Sequence, residues 1–445
     1  MERITGFFTK LMYRYLPEPL TIAILLTVVT IFLAMAVQGT GFIETTTYWG
    51  NGFWNLLEFT MQMCVILLTG YVLAKTPIVD RLLDKIISKI KTPSMAIIMA
   101  TLISGIGTLI NWGFGLIIGA IVARKIALKV KGVHYPLIIA SAYSGFVLYG
   151  SGISGSVPII ISTPGHFLEE QMGIIPLSES IFSLPMMLTT LAILVTLPLV
   201  NVLLHPKKKE NIIEISEENS SESSAKTEIA ATAEALPPSE RLNNSKLLCW
   251  AIGLIGLVYT VTYFVQGNSL NINSLNLFML FFGMLLVGTI SRYFEIFLDG
   301  VHSIAGMIIQ FPFYAGIIGI LAGSGLVTTI AQLFVAISTP ESLPFWSLIS
   351  AYFVNFLAPS GGGQWAIQGP VMIEAARELG ASYVKTAMSV QLGDAWNNMV
   401  QPFLLLPVLA ISGLKLRDIM GYLVVIMLWI GIVFSTSVLL WGYFG

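Results

Sequence analysis

The chain has 445 residues, 55% of them hydrophobic and only 11% charged, with a formal net charge of −1. A soluble domain carries roughly 25% charged residues, so most of this surface is built to avoid water, and a soluble enzyme is excluded. No basic surface is large enough to bind nucleic acid.

The first apolar run, Leu20 to Val37, follows Arg3, Lys10 and Arg14. It is too long for the apolar region of a signal peptide and more spans follow, so it reads as the first membrane helix. Crossings are predicted at 19–37, 53–74, 134–162, 181–204, 247–266, 275–291, 301–323, 382–412 and 419–441. The fold class expected is an all-α, multi-pass integral membrane protein with these nine full crossings. Basic residues gather on the cytoplasmic side of membranes. With the N-terminus cytoplasmic and the C-terminus outside, 21 of the 23 Lys and Arg fall inside, leaving only Arg377 and Lys385 outside. The two cysteines, Cys64 and Cys249, lie in or beside apolar runs and read as small buried residues.

Two apolar segments do not fit as crossings. Segment 94–123 has basic loops on both sides, so it must enter and leave on one face. Two crossings need about 40 residues, and it has about 30. A re-entrant helical hairpin is expected, with its turn supplied by Gly105, Gly107, Asn111, Gly113 and Gly115. Segment 343–376 has the same form around Asn355 and Pro359-Ser360-Gly361-Gly362-Gly363-Gln364, entering from the other face. Each hairpin precedes a crossing rich in helix breakers, Gly150 to Pro158 in one and Gly393 to Pro402 in the other.

Tyr135 precedes Gly145 by the interval at which Tyr383 precedes Gly393. Amphipathic stretches at 75–91 and 324–340 complete the parallel. The order predicts an inverted-topology repeat, residues 1–204 and 247–445, each half holding a hairpin and a broken helix (134–162 and 382–412). Between them, 205–246 opens with His205-Pro-Lys-Lys-Lys209 and continues Ser-, Glu- and Ala-rich. It reads as a flexible cytoplasmic linker.

Half-helices that start inside a membrane offer unpaired N–H groups to an anion, and unwound carbonyls attract a cation. Candidate substrate contacts are Asn111, Trp112, Gly113, Ser151, Ser154, Ser156, Ser360, Gly361, Gly362, Gln364, Asn397 and Asn398. Asp394 is the one carboxylate expected near mid-membrane, where charge is costly and marks function. It would hold Na+ with help from Asn111 and Ser360, or carry H+; a structural partner of a nearby amide is the plain alternative. Trp112, Trp365 and Trp396 would wall an alkyl chain or simply pack. Arg124 and Arg377 sit at the hairpin bases. No organic cofactor is expected.

Enzyme motifs fail. Gly152-Ile-Ser154-Gly155 has the form seen around a rhomboid-type serine, but no His stands at mid-membrane as its base. Gly393-Asp394 lacks the second aspartate of an aspartyl intramembrane protease. An intramembrane hydrolase is therefore the remote alternative.

Asn111-Trp-Gly-Phe-Gly115, Gly150 to Pro158, Thr163-Pro-Gly-His166, Pro359 to Trp365 and Gly393 to Asn398 together resemble the bacterial short-chain fatty acid transporter family. The resemblance covers nearly the whole chain and implies uptake of acetoacetate- or butyrate-type acids across the inner membrane. The family is similar to the ion-transporter superfamily, which implies a homodimer working as an elevator, with H+ or Na+ coupling. A dicarboxylate or acyl-amino acid carrier remains open on the same architecture. A dicarboxylate would ask for a second cationic subsite, and the predicted core offers no Lys or Arg.

Overall fold

The computed structural model describes residues 17–215 and 237–445. Arg3, Lys10, Arg14 and the middle of the linker, 216–236, lie outside the described residues. Among the described residues every regular element is helical. In the first half these are α1 (Pro19–Gln38), α2 (Phe42–Gly52), α3 (Leu57–Ala74), α4 (Pro77–Ile87), α5 (Pro93–Ile110), α6 (Trp112–Lys129), α7 (Tyr135–Ser144), α8 (Ser156–Ile161) and α9 (Leu184–Leu203). In the second half they are α10 (Lys246–Val265), α11 (Ile272–Val287), α12 (Ile290–Val301), α13 (Ala305–Gly323), α14 (Leu326–Ile337), α15 (Leu343–Val354), α16 (Gly361–Leu379), α17 (Tyr383–Asn397), α18 (Pro402–Ser412) and α19 (Leu416–Phe444).

Among the described residues, eight helices are long and apolar enough to cross a membrane. They expose apolar side chains where a soluble protein would place charge. On α10, Leu247, Leu254, Ile255, Val258, Val261 and Val265 all face outward. Such a face is stable only against lipid. The eight include Pro93–Ile110, the first arm of the predicted hairpin, by length and composition. They do not include two predicted crossings: 382–412, which is split into Tyr383–Asn397 and Pro402–Ser412, and 275–291, where the helix is Ile272–Val287 and 16 residues long. At 1.5 Å per residue it falls short of a bilayer core of about 30 Å. Gly288, at φ 87°, ends it, and the amphipathic α12 follows, an element the sequence reading did not anticipate. Nor was α2 anticipated; it lies on α13, where Gly316, Gly319 and Gly323 accept the Trp49 and Tyr48 side chains and the Tyr48 backbone at van der Waals contact or closer.

The segment 94–123 forms two helices, α5 and α6, packed along each other and joined at one residue, Asn111. The expected glycine turn is a correction. Gly105, Gly107, Gly113 and Gly115 are all helical. They serve close packing instead: a Cβ at Gly115 would sit 2.1 Å from Thr108 Oγ1, so the two arms could not approach. The two broken crossings differ in detail. The first changes from α7 to a 3-10 helix over Gly145–Ser151, unwinds at Gly152–Gly155 and resumes as α8. The second stays helical through Asp394 to Asn397 and opens only at Asn398–Gln401.

Gly145 and Gly393 make corresponding contacts. A Cβ at Gly145 would lie 2.6 Å from Thr101 O and 3.1 Å from Ser104 Cβ. At Gly393, 248 positions later, it would lie 2.4 Å from Leu348 O and 2.6 Å from Ala351 Cβ, partners 247 positions beyond Thr101 and Ser104. In each case an interrupted helix rests, at a glycine, on the backbone of an earlier helix, α5 for Gly145 and α15 for Gly393.

The described start of the linker is bound rather than loose. Tyr135 N–H donates to Ile213 O at 2.7 Å, and Ile213 N–H donates to His134 Nδ1 at 3.0 Å. Gly132 N–H reaches Glu214 Oε1 at 2.5 Å. His134 Nε2 faces Tyr422 Oη at 2.9 Å, and His205 Nε2 accepts from His134 N–H at 3.3 Å. An acceptor role for Nδ1 needs a neutral imidazole. Burial, and then His205, hold His134 down at about 4 against an ordinary 6.5. The unfolded chain therefore takes up the proton first, and stability from this residue is lost as pH falls from 6.5 towards 4.

Two predictions follow from these contacts. In thermal unfolding in detergent, the melting temperature of the native protein should fall further between neutral pH and pH about 4.5 than that of His134→Gln; an equal fall would detach the effect from His134. Gly393→Ala should cost about 1–3 kcal/mol by overpacking, read as a lower melting temperature and a poorer monodisperse yield.

Candidate functional site

At the tip of the first pair, Asn111 is fully buried and starts α6. Its Oδ1 accepts from Phe114 N–H at 2.9 Å, and its Nδ2 donates to Ile66 O at 3.0 Å. The next amide, Trp112 N–H, donates to Ser154 Oγ at 2.9 Å. Ile153 N–H returns to Leu109 O at 2.9 Å. The unwound stretch of the first broken helix is thus stitched to the tip before it. The polar groups of Asn111 and Ser154 thus serve the protein's own backbone.

The second break centres on Asp394, which is 1% exposed. Helical spacing brings Gln391, Asp394 and Asn398 to one face of the chain. Asn355 Nδ2 donates to Asp394 Oδ1 at 2.5 Å, and Asn398 Nδ2 donates to Oδ2 at 3.1 Å. Gln391 Nε2 stands 3.4 Å from Oδ2. None of these partners carries positive charge. The network spreads outward: Asn355 Nδ2 also donates to Gln364 Oε1 at 3.0 Å, and Gln401 Nε2 donates to Asn355 Oδ1 at 3.0 Å and Asn397 Oδ1 at 3.0 Å. Gln364 Nε2 donates to Ala351 O at 2.9 Å. Gln364 therefore ties the two arms of the second pair, α15 and α16, together.

Three bonds join the halves at this point. Val157 N–H, at the start of α8, donates to Gln391 Oε1 at 2.7 Å. Asn398 Nδ2 reaches Tyr149 Oη at 3.3 Å, and Tyr143 Oη donates to Asn398 O. The 3-10 turn stacks Tyr149 on Phe146, with ring centroids 5.0 Å apart, and so aims the phenol across the junction.

The second tip arrives from the other side. A Cβ at Gly361 would lie 2.8 Å from Tyr149 Oη and 2.9 Å from Ser156 Oγ. At Gly362 it would meet Phe59 and Phe311, and at Gly363 the Tyr314 ring. Only glycines allow this backbone to sit so close to its walls. Ser360 precedes the helix without a side-chain cap. The start of α16 therefore presents backbone amides and a positive dipole end beside two hydroxyls.

Several polar groups here lack a partner among the described residues: Asn397 Nδ2, Asn398 Oδ1, Trp365 Nε1 and Tyr314 Oη. Ser156 and Ser151, 4% and 9% exposed, lie largely buried beside them. Buried polar atoms without partners are uncommon and mark a place for water, an ion or a ligand.

The remaining predicted residues lie apart from this junction. The half-buried Trp112 ring packs with Leu67, Leu68 and Ile304, and Gly113 rests on Leu67. Trp396 donates from Nε1 to Met427 O at 2.9 Å and faces α19. Arg377 pairs with Glu374 at 2.6 Å on an exposed surface. His166 folds its own loop: Nδ1 accepts from Leu168 N–H at 3.3 Å, and Nε2 sits 3.0 Å from Gly173 O. The sequence reading omitted Tyr149, Asn355, Gln391 and Gln401 from the site. The spacing of Gln391 and Asn398 about Asp394 was available as a signal. Tyr149 had none, for its role depends on the 3-10 turn.

Two interrupted helices meeting beside a buried carboxylate define a helical fold that recurs in solved structures. The chain overlays on the Alcanivorax borkumensis YdaH transporter with a TM-score of 0.62 at 14% identity, covering 96% of this chain and 98% of that one. It overlays on Neisseria gonorrhoeae MtrF, described within a class of antimetabolite efflux pumps, with a TM-score of 0.59 at 13% identity, covering 98% and 97%.

The chain belongs to the short chain fatty acid transporter family, whose profile matches residues 1–441. A relative from Escherichia coli K12, named "Putative short-chain fatty acid transporter", is 40% identical over 433 residues, or 97% of this chain and 98% of its own. A relative of the same name from Haemophilus influenzae Rd is 38% identical, covering 95% and 96%.

Asn355 is the hub that the junction's integrity tests. Asn355→Ala removes the shortest donor to Asp394 and leaves Gln364 Oε1 without its donor. It should cost about 1–3 kcal/mol for the groups left unsatisfied, more than Ser360→Ala, whose side chain bonds nothing among the described residues. Thermal melts of the two variants in detergent make the comparison.

Proposed function

We propose that the protein is a secondary active carrier of short-chain monocarboxylates, with the acid held between the start of α16 and the hydroxyls of Tyr149 and Ser156. The observation that carries this reading is the approach of Gly361 to both hydroxyls, where amide N–H groups and O–H donors converge. A carboxylate is the anion such neutral donors suit. The residues of the junction include no Lys or Arg, so a second carboxylate would find no cationic partner. That favours one acid group over two.

Asp394 is the coupling group in this reading. Its oxygens face amide N–H donors rather than oxygens, which suits H+ better than Na+, since transporters hold Na+ with carbonyl oxygens. Half a turn of the Asn398 amide would offer its unpaired Oδ1 to the protonated acid. Proton uptake would remove a buried charge that no cation balances among its partners. The corresponding contacts of Gly145 and Gly393 support an inverted repeat with one re-entrant hairpin in each half. The same frame gives a cytoplasmic N-terminus, an outer C-terminus and a bacterial inner-membrane setting. Elevator motion of a homodimer is part of this proposal.

Uptake of labelled butyrate and acetoacetate into proteoliposomes provides the test. Saturable uptake should accelerate under an inwardly directed proton gradient, and a Na+ gradient alone should not replace it. Asp394→Asn should abolish the acceleration, while Ser156→Ala and Tyr149→Phe should raise KM several-fold. Absence of saturable uptake for every short acid would remove the substrate claim.

A further inference from the structure

We propose that a second, outer site leads to this junction: a vestibule for the short acid, closed from the α16 tip by the ring of Phe59. The proposal rests on the carrier reading above and adds a site and a gating residue to it. A cavity of about 90 Å3 lies where the start of α3 meets the loop after α8 and the start of α11. Asn55, Gln62, Thr163 and His166 give it a polar side, and Phe59, Ile160 and Phe167 give it an apolar floor. That division fits a molecule with one polar head and a short alkyl tail. Glu58 also lines it, accepting from Gln62 Nε2 at 3.3 Å, and its carboxylate repels any anionic head, a dianion more than a single carboxylate.

Phe59 belongs both to this cavity and to the tip. Its ring packs on Phe167 at 6.2 Å and on Phe311 at 5.5 Å between centroids. On its other side, a Cβ at Gly362 would lie 2.7 Å from Phe59 Cζ. One aromatic side chain therefore separates the cavity from the amides of α16. Phe59 is 9% exposed and is held by ring contacts alone, with no polar bond to break. A rotamer change would open the path at little cost, as gating side chains require. Gly362 gives the ring its seat, which supplies a physical reason for the middle glycine of Gly361-Gly362-Gly363.

The experiment reads access rather than turnover. A cysteine at Ser156 (Ser156→Cys) reports on the inner side of the ring, and one at Gln62 (Gln62→Cys) on the outer side. Each is treated in detergent with a charged, membrane-impermeant thiol reagent, against a background without either. Gln62→Cys should label quickly whatever occupies position 59, and butyrate should slow it. Ser156→Cys should label slowly with Phe59 present and at least tenfold faster in Phe59→Ala. Should Phe59→Ala fail to give monodisperse protein, Phe59→Leu opens the path less and should still raise the rate several-fold. An unchanged rate at Ser156→Cys in a well-folded variant overturns the gate. Labelling of Gln62→Cys that is as slow as the background overturns the vestibule. Uptake of short acids without any Phe59 effect would leave the carrier reading standing and remove this one. A Phe59 effect without uptake of any short acid would keep the gate and overturn both the carrier reading and the assignment of the vestibule to a short acid.

Discussion

Interrupting a helix within a bilayer strands amides and carbonyls where water cannot reach them, and each stranded group costs several kcal/mol. The rest of this structure answers that constraint. At the first break the repair is local: Ile153 and Trp112 exchange bonds between the unwound stretch and the hairpin tip before it. At the second it uses side-chain amides, with Gln401 reaching Asn355 O at 2.9 Å and Asn397 Oδ1 at 3.0 Å. Between the two, Gln391 caps the start of α8 through Val157 N–H at 2.7 Å. The hairpins are thus the reason the broken helices can exist, and neither element is stable at depth without the other.

The cost of Asp394 belongs to the same account. A carboxylate at 1% exposure needs either a cation or a set of strong donors. Here Asn355 stands just past α15, Gln391 within α17 and Asn398 just past α17. Holding them in place requires α15 to lie along α17, and the close approach at Gly393 permits that. A change in the charge of Asp394 therefore acts directly on how a hairpin arm sits against a broken helix. This is the physical route by which an ion could move a structural element.

Much of this was legible in the sequence, for identifiable reasons. Helix-breaking residues in apolar runs are few and conspicuous, so Gly150 to Pro158 and Gly393 to Pro402 stood out, as did the tips at Asn111 and Ser360. Glycine alone does not say whether it bends a chain or lets another approach. The glycines around Asn111 were therefore read as a turn when they serve the packing of two straight arms. Contacts between distant segments left no local mark. Nothing near Tyr149 announces that it meets Gly361, and nothing near Ile213 announces its bond to His134. A stretch of lysines beside polar residues reads as solvated chain, yet a few backbone bonds suffice to hold it at 212–215.

The two halves share a plan but differ in how fully their polar groups are used. At the first tip both ends of the Asn111 amide are bonded, and Ser154 accepts a backbone N–H. At the second, Ser360 caps nothing, and Asn397, Asn398 and Trp365 each keep one polar atom unpaired among the described residues. The first tip keeps one polar atom unpaired among the described residues, Trp112 Nε1, and the second has more hydrogen-bonding capacity left over. Two equal pockets would follow from perfect repetition. Among the described residues the chain gathers most of the unpaired polar atoms of its two tips, its glycine-walled amides and its one deeply buried carboxylate near the start of α16. The hydrogen-bonding capacity left over is therefore unequal between the two tips, and an unsatisfied buried group at the second is the one that water, an ion or a ligand would most lower in energy.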